Sequence, residues 1–393
     1  MKNEGNSIRI INVMKRALKG EPISLGFIGG SITQGCSATD EGFCYAALIY
    51  NWWKKNFPAS ETSYINAGIG ATTSQFGAAR ADDDLLCYRP DVVFIEFSVN
   101  DNDEFPNNRQ ELFRETFEGL VRKILSADNS PAVIIIHSVR FDDGSSEEEL
   151  HSKIGKYYGI PCISMKECIY SRILKDELNI CNITTDNLHP TNYGHALMAS
   201  HVTDYLESIC CKARASYETD SEYFRWVTAS LPKPVTQNCY ENAVRFNRLN
   251  INPELNGFVP DDSKTMEPFV TNGVEVKGSF VRDVFKNGWS AKESGATITF
   301  KVTGTEIGIL YRKSKNKPAP VAYAILDGDE QNKTELDANF SEDWGDKAYL
   351  ETIAHHGNPA EHTLTIRVAS AQNCISDFYL IAILVSGPVL SDT

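Results

Sequence analysis

In GFIGGSITQG, from Gly26 to Gly35, an apolar, strand-like run ends in two glycines and a hydroxyl. Gly29 and Gly30 permit a sharp, close-packed turn, which would hold Ser31 at the mouth of a sheet. A serine so placed serves as a turn residue, a phosphate contact or a nucleophile. The phosphate reading is the weaker: both G-x-x-x-x-G-K-[ST] and G-x-G-x-x-G are absent, and no Lys or Arg occurs between Gly29 and Trp53.

A serine nucleophile needs a base, and DNLHPTNYGH, from Asp186 to His195, offers one. Pro190 biases His189 away from helical φ/ψ and suits a first helical position, so His189 is expected at the entry of the last helix. A helix N-terminus disfavours imidazolium and keeps the ring ready to accept a proton. Asp186, three residues earlier, can bond the other ring nitrogen and set the tautomer. The competing reading makes Asp186 a helix cap and His189 a surface residue.

Two further stretches offer hydrogen-bond donors for a developing oxyanion. In EFSVNDND, Asn100 carries a neutral amide donor, and Asp101 or Asp103 would cap the segment after it. In NAGIGATTS, from Asn66 to Ser74, Gly68 and Gly70 can expose backbone N–H groups. Both stretches also read as ordinary turns, the second with Thr72 or Thr73 as a helix cap.

The elements that must position these residues alternate between short apolar runs and longer amphipathic ones up to about residue 211. Candidate strands are ISLGFI (Ile23 to Ile28), SYINA (Ser63 to Ala67), DVVFIEF (Asp91 to Phe97), AVIIIHS (Ala132 to Ser138) and a short fifth at PCIS near Pro161. The third and fourth are almost continuously apolar, as expected of strands buried on both faces of a parallel sheet. Helices are expected near 43–56, 74–87, 109–126, 146–158 and 192–211. Each chemical stretch then follows a strand or precedes the last helix, at the edge where parallel sheets bind ligands.

Beyond Cys211 the period becomes two, as in GATITFKVTGTEIGILYRK and EHTLTIRVAS. This predicts an antiparallel sandwich. The expected division is an α/β domain over 1–211, a transition over 212–235 and an all-β, jelly-roll-like domain over 236–393. A chain of 393 residues fits two domains.

Lys and Arg number 38 against 52 Asp and Glu, a net charge of −14, which disfavours nucleic acid as a partner. The ten cysteines are scattered without metal spacing or a disulfide framework. No window approaches the roughly 18 apolar residues of a membrane helix, and the N-terminal segment lacks an export core, so a cytoplasmic, non-membrane protein is expected. His195 and His201 read as packing or surface residues, His137 as a core imidazole, and His355 and His356 as solvated. Trp52 and Trp53 read as core. Trp226, Trp289, Tyr311 and Trp344 have sugar-stacking potential, but most should also be core.

Taken together, GGSIT, NAGIGATTS, VND and DNLHP resemble the four sequence blocks of the SGNH hydrolases, the GDSL-type esterase superfamily. The resemblance spans roughly residues 20–211. It implies a flavodoxin-like three-layer α/β/α fold and a Ser31, His189, Asp186 hydrolytic centre needing no cofactor or metal. The oxyanion would be held by the N–H of Ser31, the Asn100 amide and an N–H near Gly70. Two departures stand out. Gly30 replaces the usual aspartate before the nucleophile, a variant similar to a subgroup that includes carbohydrate acetyl esterases. The usual oxyanion-hole glycine, counted from Asn66, falls at Ala71, so Gly70 is the expected donor and Ala71 the alternative.

The resemblance therefore implies a serine esterase for short acyl groups, foremost O-acetyl, on a small-molecule or oligosaccharide ester. A lysophospholipase or thioesterase with a longer acyl pocket is the alternative. A binding module with an inactive hydrolase domain is a third reading, disfavoured by the intact Ser31, Asn100, Asp186 and His189. Homo-oligomer formation is left open.

Overall fold

A computed structural model describes residues 4–103, 110–217, 231–264, 270–271, 274–275, 284–342 and 344–387. The chain divides into two compact units, one holding most residues up to Thr236 and the other most of those from Gln237 onward. Most of the expected transition segment, with Trp226, lies outside the described residues.

In the first unit, α1 (Ile8–Leu18) leads into β1 (Ile23–Gly29), α2 (Ser31–Gln34), α3 (Tyr45–Asn56), β2 (Thr62–Gly68) and α4 (Ser74–Asp84). Then come β3 (Val92–Glu96), α5 (Asn100–Asp103), α6 (Gln110–Leu125), β4 (Ala132–His137), α7 (Glu148–Tyr157) and β5 (Cys162–Ser164). Short turns α8 (Ser171–Ile173) and α9 (Ile180–Ile183) precede the long α10 (Asn192–Tyr217).

The five strands pair in parallel in the order β2-β1-β3-β4-β5. This is the flavodoxin-like order, whose direction reverses between β1 and β3. Leu25, Phe27, Val92, Phe94, Ile134 and Ile136 turn to one face, against residues of α1, α3 and α10. Phe27 and Phe94 stack at 4.6 Å within that layer. Neighbouring Val93, Ile95, Val133 and Ile135 are equally buried. By the alternation of a strand they turn to the opposite face, where α6 and α7 pack on each other and on β4 and β5. Helices on both faces explain the continuous apolar runs, and the expected α/β/α layering holds.

Trp53 is fully buried in the α3 layer, with Trp52 packed partly buried beside it. His137 is fully buried and pairs through Nε2 with Ser152 Oγ at 3.1 Å. The ten cysteines are free thiols. No described helix is long and apolar enough to cross a membrane.

The second unit contains β6 (Val244–Phe246), β7 (Glu254–Asn256), β8 (Val259–Asp261), the small β9 (Val270–Thr271) and β10 (Val274–Glu275) pair, and β11 (Gly288–Ala291). It continues with β12 (Thr297–Gly304), β13 (Glu306–Lys313), β14 (Val321–Leu326), β15 (Thr334–Asp337), β16 (Lys347–Ala354), β17 (Ala360–Ser370) and β18 (Phe378–Ser386). One antiparallel sheet runs β16-β13-β18-β11-β8 with β6 also on β18, and the other runs β15-β14-β17-β12-β7. Trp289, Ile309, Tyr311 and Leu380 of the first sheet and Ile298, Phe300, Leu364 and Ile366 of the second form one core. The period-two alternation thus marks a sandwich, and two of the aromatics with stacking potential lie inside it. Trp344 is half-buried and donates from Nε1 to Glu342. His355, expected to be solvated, is exposed and donates from Nδ1 to the fully buried Glu306 carboxylate at 2.6 Å.

Candidate active site

The carboxyl ends of β2, β1 and β3 lie level, with Gly29 opposite both Gly68 and Glu96. Ser31 opens α2 just past β1, and Gly35 closes that helix at φ 98°. Both preceding glycines are required by space. A Cβ on Gly29 would lie 2.1 Å from Thr33 Oγ1, and one on Gly30 would lie 2.0 Å from Asn100 Oδ1. The Asn100 side chain, at the start of α5, therefore packs directly on the backbone before Ser31. This gives a physical reason for glycine, rather than aspartate, at position 30.

Ser31 is 8% exposed. Its Oγ lies 2.8 Å from His189 Nε2, and His189 Nδ1 lies 2.7 Å from Asp186 Oδ2. The other carboxylate oxygen accepts the N–H groups of Leu188 and His189, at 3.0 and 2.7 Å, and the Thr184 hydroxyl at 3.2 Å. Burial alone would raise the Asp186 carboxyl. The bond to His189, the charge of that ring and the backbone donors outweigh it and hold the carboxyl well below the usual range.

His189 does not stand at a helix entry as expected. Helix α10 begins at Asn192, and Pro190 instead forms an antiparallel bridge with Thr184. The turn is closed by Asp186 and by Asn187 at φ 67°. The tautomer of His189 is set by the Asp186 carboxylate, which accepts from Nδ1.

On the β2 side, Asn66 donates from Nδ2 to Thr33 O at 2.8 Å and accepts the Gly68 N–H at 2.9 Å. A Cβ on Gly68 would fall 2.2 Å from Gln34 N, so glycine lets the loop approach α2. The Gly70 N–H is committed to Gln34 Oε1 at 2.6 Å. Ala71 follows at φ 54°, in the left-handed region. Ser31, Asn100 and the 70–71 turn thus lie on adjacent strand ends around one point, with a hydroxyl, an imidazole and a carboxylate in series. Such a series can pass a proton from the hydroxyl to the ring as an acyl carbon is attacked.

Residues 27–197 match the GDSL-like Lipase/Acylhydrolase family. Over 98% of its length the chain is 40% identical, with a TM-score of 0.86, to the crystal structure of a two-domain esterase (CEX) active on acetylated mannans, 97% of which is covered. The same esterase co-crystallized with mannopentaose gives 40% identity and a TM-score of 0.85, over 98% of this chain and 96% of that one. The chain belongs to the GDSL-like lipase/acylhydrolase family. Like its relatives it is a carboxylic ester hydrolase. An acetylxylan esterase of Geobacillus stearothermophilus is 22% identical over 196 residues, 44% of this chain and 89% of that protein.

Behind these residues the acylhydrolase carries a buried polar layer that the sequence does not announce. Asp101, read only as a cap, accepts the Ser74 N–H at 2.8 Å and faces His151 Nε2 at 3.0 Å, both side chains being fully buried. It thereby ties the residue after Asn100 to the loop after β2. Burial pushes Asp101 up to about 7 and His151 down to about 3. His151 stacks on Phe117 at 3.6 Å.

Beneath the nucleophile, Thr33 Oγ1 contacts the Tyr45 hydroxyl at 2.8 Å and donates to Glu96 at 3.2 Å. Burial raises Glu96 to about 7. His195 is a packing residue: its Nε2 bonds Cys36 O at 3.1 Å, and Nδ1 accepts the Tyr45 N–H at 3.4 Å. It joins α10 to the turn after α2, and burial keeps it neutral, down to about 4. The sequence holds no local signal for how this layer pairs, because its partners are far apart along the chain.

Proposed function

We propose that this acylhydrolase removes short acyl groups, acetyl foremost, from carbohydrate esters through an acyl-enzyme on Ser31. The observation that carries the mechanism is the series Ser31 Oγ, His189, Asp186, with spacings of 2.8 and 2.7 Å. Ser31 Oγ attacks the ester carbonyl carbon while its proton passes to His189 Nε2. The C–O bond to the sugar then breaks, and the same proton goes to the departing alcohol. Water attacks the acyl-enzyme, giving its proton to His189, and the proton returns to Ser31 as the carboxylic acid leaves.

Asp186, held ionised, stabilises the imidazolium formed in each half. The oxyanion is held by the Ser31 N–H, the Asn100 amide and a donor of the 70–71 turn. Because the Gly70 N–H already serves Gln34, Ala71 is the better candidate for that third donor. The carbohydrate substrate is supported by the near full-length similarity to an esterase active on acetylated mannans.

Hydrolysis of p-nitrophenyl acetate, butyrate and octanoate, and of acetylated manno-oligosaccharides, tests the reading in wild type and in Ser31→Ala. Acetyl hydrolysis that vanishes in a folded Ser31→Ala variant is the expected result. Activity retained in that variant would overturn the mechanism, and preference for octanoate would overturn the acyl assignment.

A further inference from the structure

Gln34 closes the short helix that Ser31 opens and is 1% exposed. Its Oε1 accepts the Gly70 N–H, while its buried Nε2 has no hydrogen-bond partner among the described residues. Reversing the amide would set two donors face to face, so its orientation is determined. A buried donor left unpaired is costly, and Met would fill similar volume without it. What the amide provides that an apolar side chain lacks is the bond to Gly70.

That bond falls one residue before Ala71, whose left-handed φ of 54° is unfavourable for a residue with a Cβ. Such a conformation persists only where its surroundings over-determine it. Around it, Ile69 N–H donates to Gly29 O at 3.0 Å and the Thr72 hydroxyl to Ile69 O at 2.7 Å. We propose that Gln34 is a positioning residue for acyl transfer: by taking the Gly70 N–H it locks the Ala71 turn and couples the oxyanion-holding loop to the nucleophile helix. The inference rests on the Ser31 acyl-transfer reading. Gln34 touches neither substrate nor the reacting atoms; it acts through the loop.

Gln34→Met keeps the volume and removes the acceptor. With p-nitrophenyl acetate it should lose about 10- to 100-fold in kcat, with KM changed by no more than about twofold. Gln34→Glu keeps an acceptor for Gly70 but adds a negative charge that opposes the oxyanion. Its activity relative to wild type should rise as pH falls and the new carboxyl takes up a proton. A folded Gln34→Met variant with wild-type kcat, or with its loss confined to KM, overturns the proposal. If Gln34→Met does not fold, Gln34→Leu carries the test by removing the same acceptor, and wild-type kcat in that folded variant overturns it. Ser31→Ala, measured alongside, separates the two readings: an active folded Ser31→Ala variant refutes the acyl-enzyme, whereas an inactive one beside a fully active Gln34→Met variant refutes only the role of Gln34.

Discussion

Asp186 divides its two oxygens between tasks. Oδ2 takes the ring proton of His189, and Oδ1 takes the backbone donors that fold the 186–189 turn. Asp186→Asn disturbs the first task most. Its amide can donate to Nδ1, which places the ring proton on Nε2, facing Ser31, where the ring cannot serve as a base. kcat should fall on the order of 10³- to 10⁴-fold, measured with p-nitrophenyl acetate at constant fold. Stability follows the depressed carboxyl. In wild type its contribution is present above the ordinary carboxylate range and is lost as pH falls below it; Asp186→Asn lacks that loss.

At the scale of elements, the strand-to-helix turn at Gly29 and Gly30 is where β1, β3 and α5 come closest. An alanine at position 30 has no room beside Asn100 Oδ1 and must push that amide away. Gly30→Ala should therefore behave like Asn100→Ala, each losing about 10²- to 10³-fold in kcat. Because both act through one amide, the double variant should be no worse than Asn100→Ala alone, and a double-mutant cycle of kcat values checks this. Additive losses would mean that Gly30 matters for another reason. At this scale the start of α10 also differs from expectation. Pro190 suits a first helical turn, but its bridge to Thr184 competes, and the helix begins only at Asn192.

Across the whole first unit, buried titratable groups pull stability in opposite directions with pH. Glu96 is raised to about 7, so the native state keeps a proton that the unfolded chain, near 4.5, releases. Its contribution to stability therefore falls as pH rises between those values. Asp101 acts the same way. His151 and His195 are lowered to about 3 and about 4, so the unfolded chain takes up protons below 6.5 that the native rings refuse. Their contribution rises as pH rises toward 6.5. Glu96→Gln mimics the protonated acid and removes one falling term. The variant should lie closest to wild type at low pH and become progressively more stable than wild type up to pH 8. Urea midpoints at pH 5, 6.5 and 8 check this; parallel curves would contradict it.

The sequence alone determined what depends on neighbours along the chain. Apolar runs at Val92–Glu96 and Ala132–His137 mark strands covered on both faces, and alternation past residue 290 marks a sandwich, because burial follows the period of the local backbone. The glycines before Ser31 and the three-residue spacing of Asp186 and His189 are legible for the same reason. Tertiary structure decided which buried polar groups meet. Gln34 finds Gly70, Asp101 finds His151, Asn100 packs on Gly30, and His195 reaches Cys36, each across a gap in sequence that the packing of strands and helices closes. Most buried donors and acceptors find a partner, and its identity is set by whichever element the fold brings alongside. For Gln34 with Gly70 and Asn100 with Gly30 that adjacency follows from the β2-β1-β3 order, which no local pattern contains.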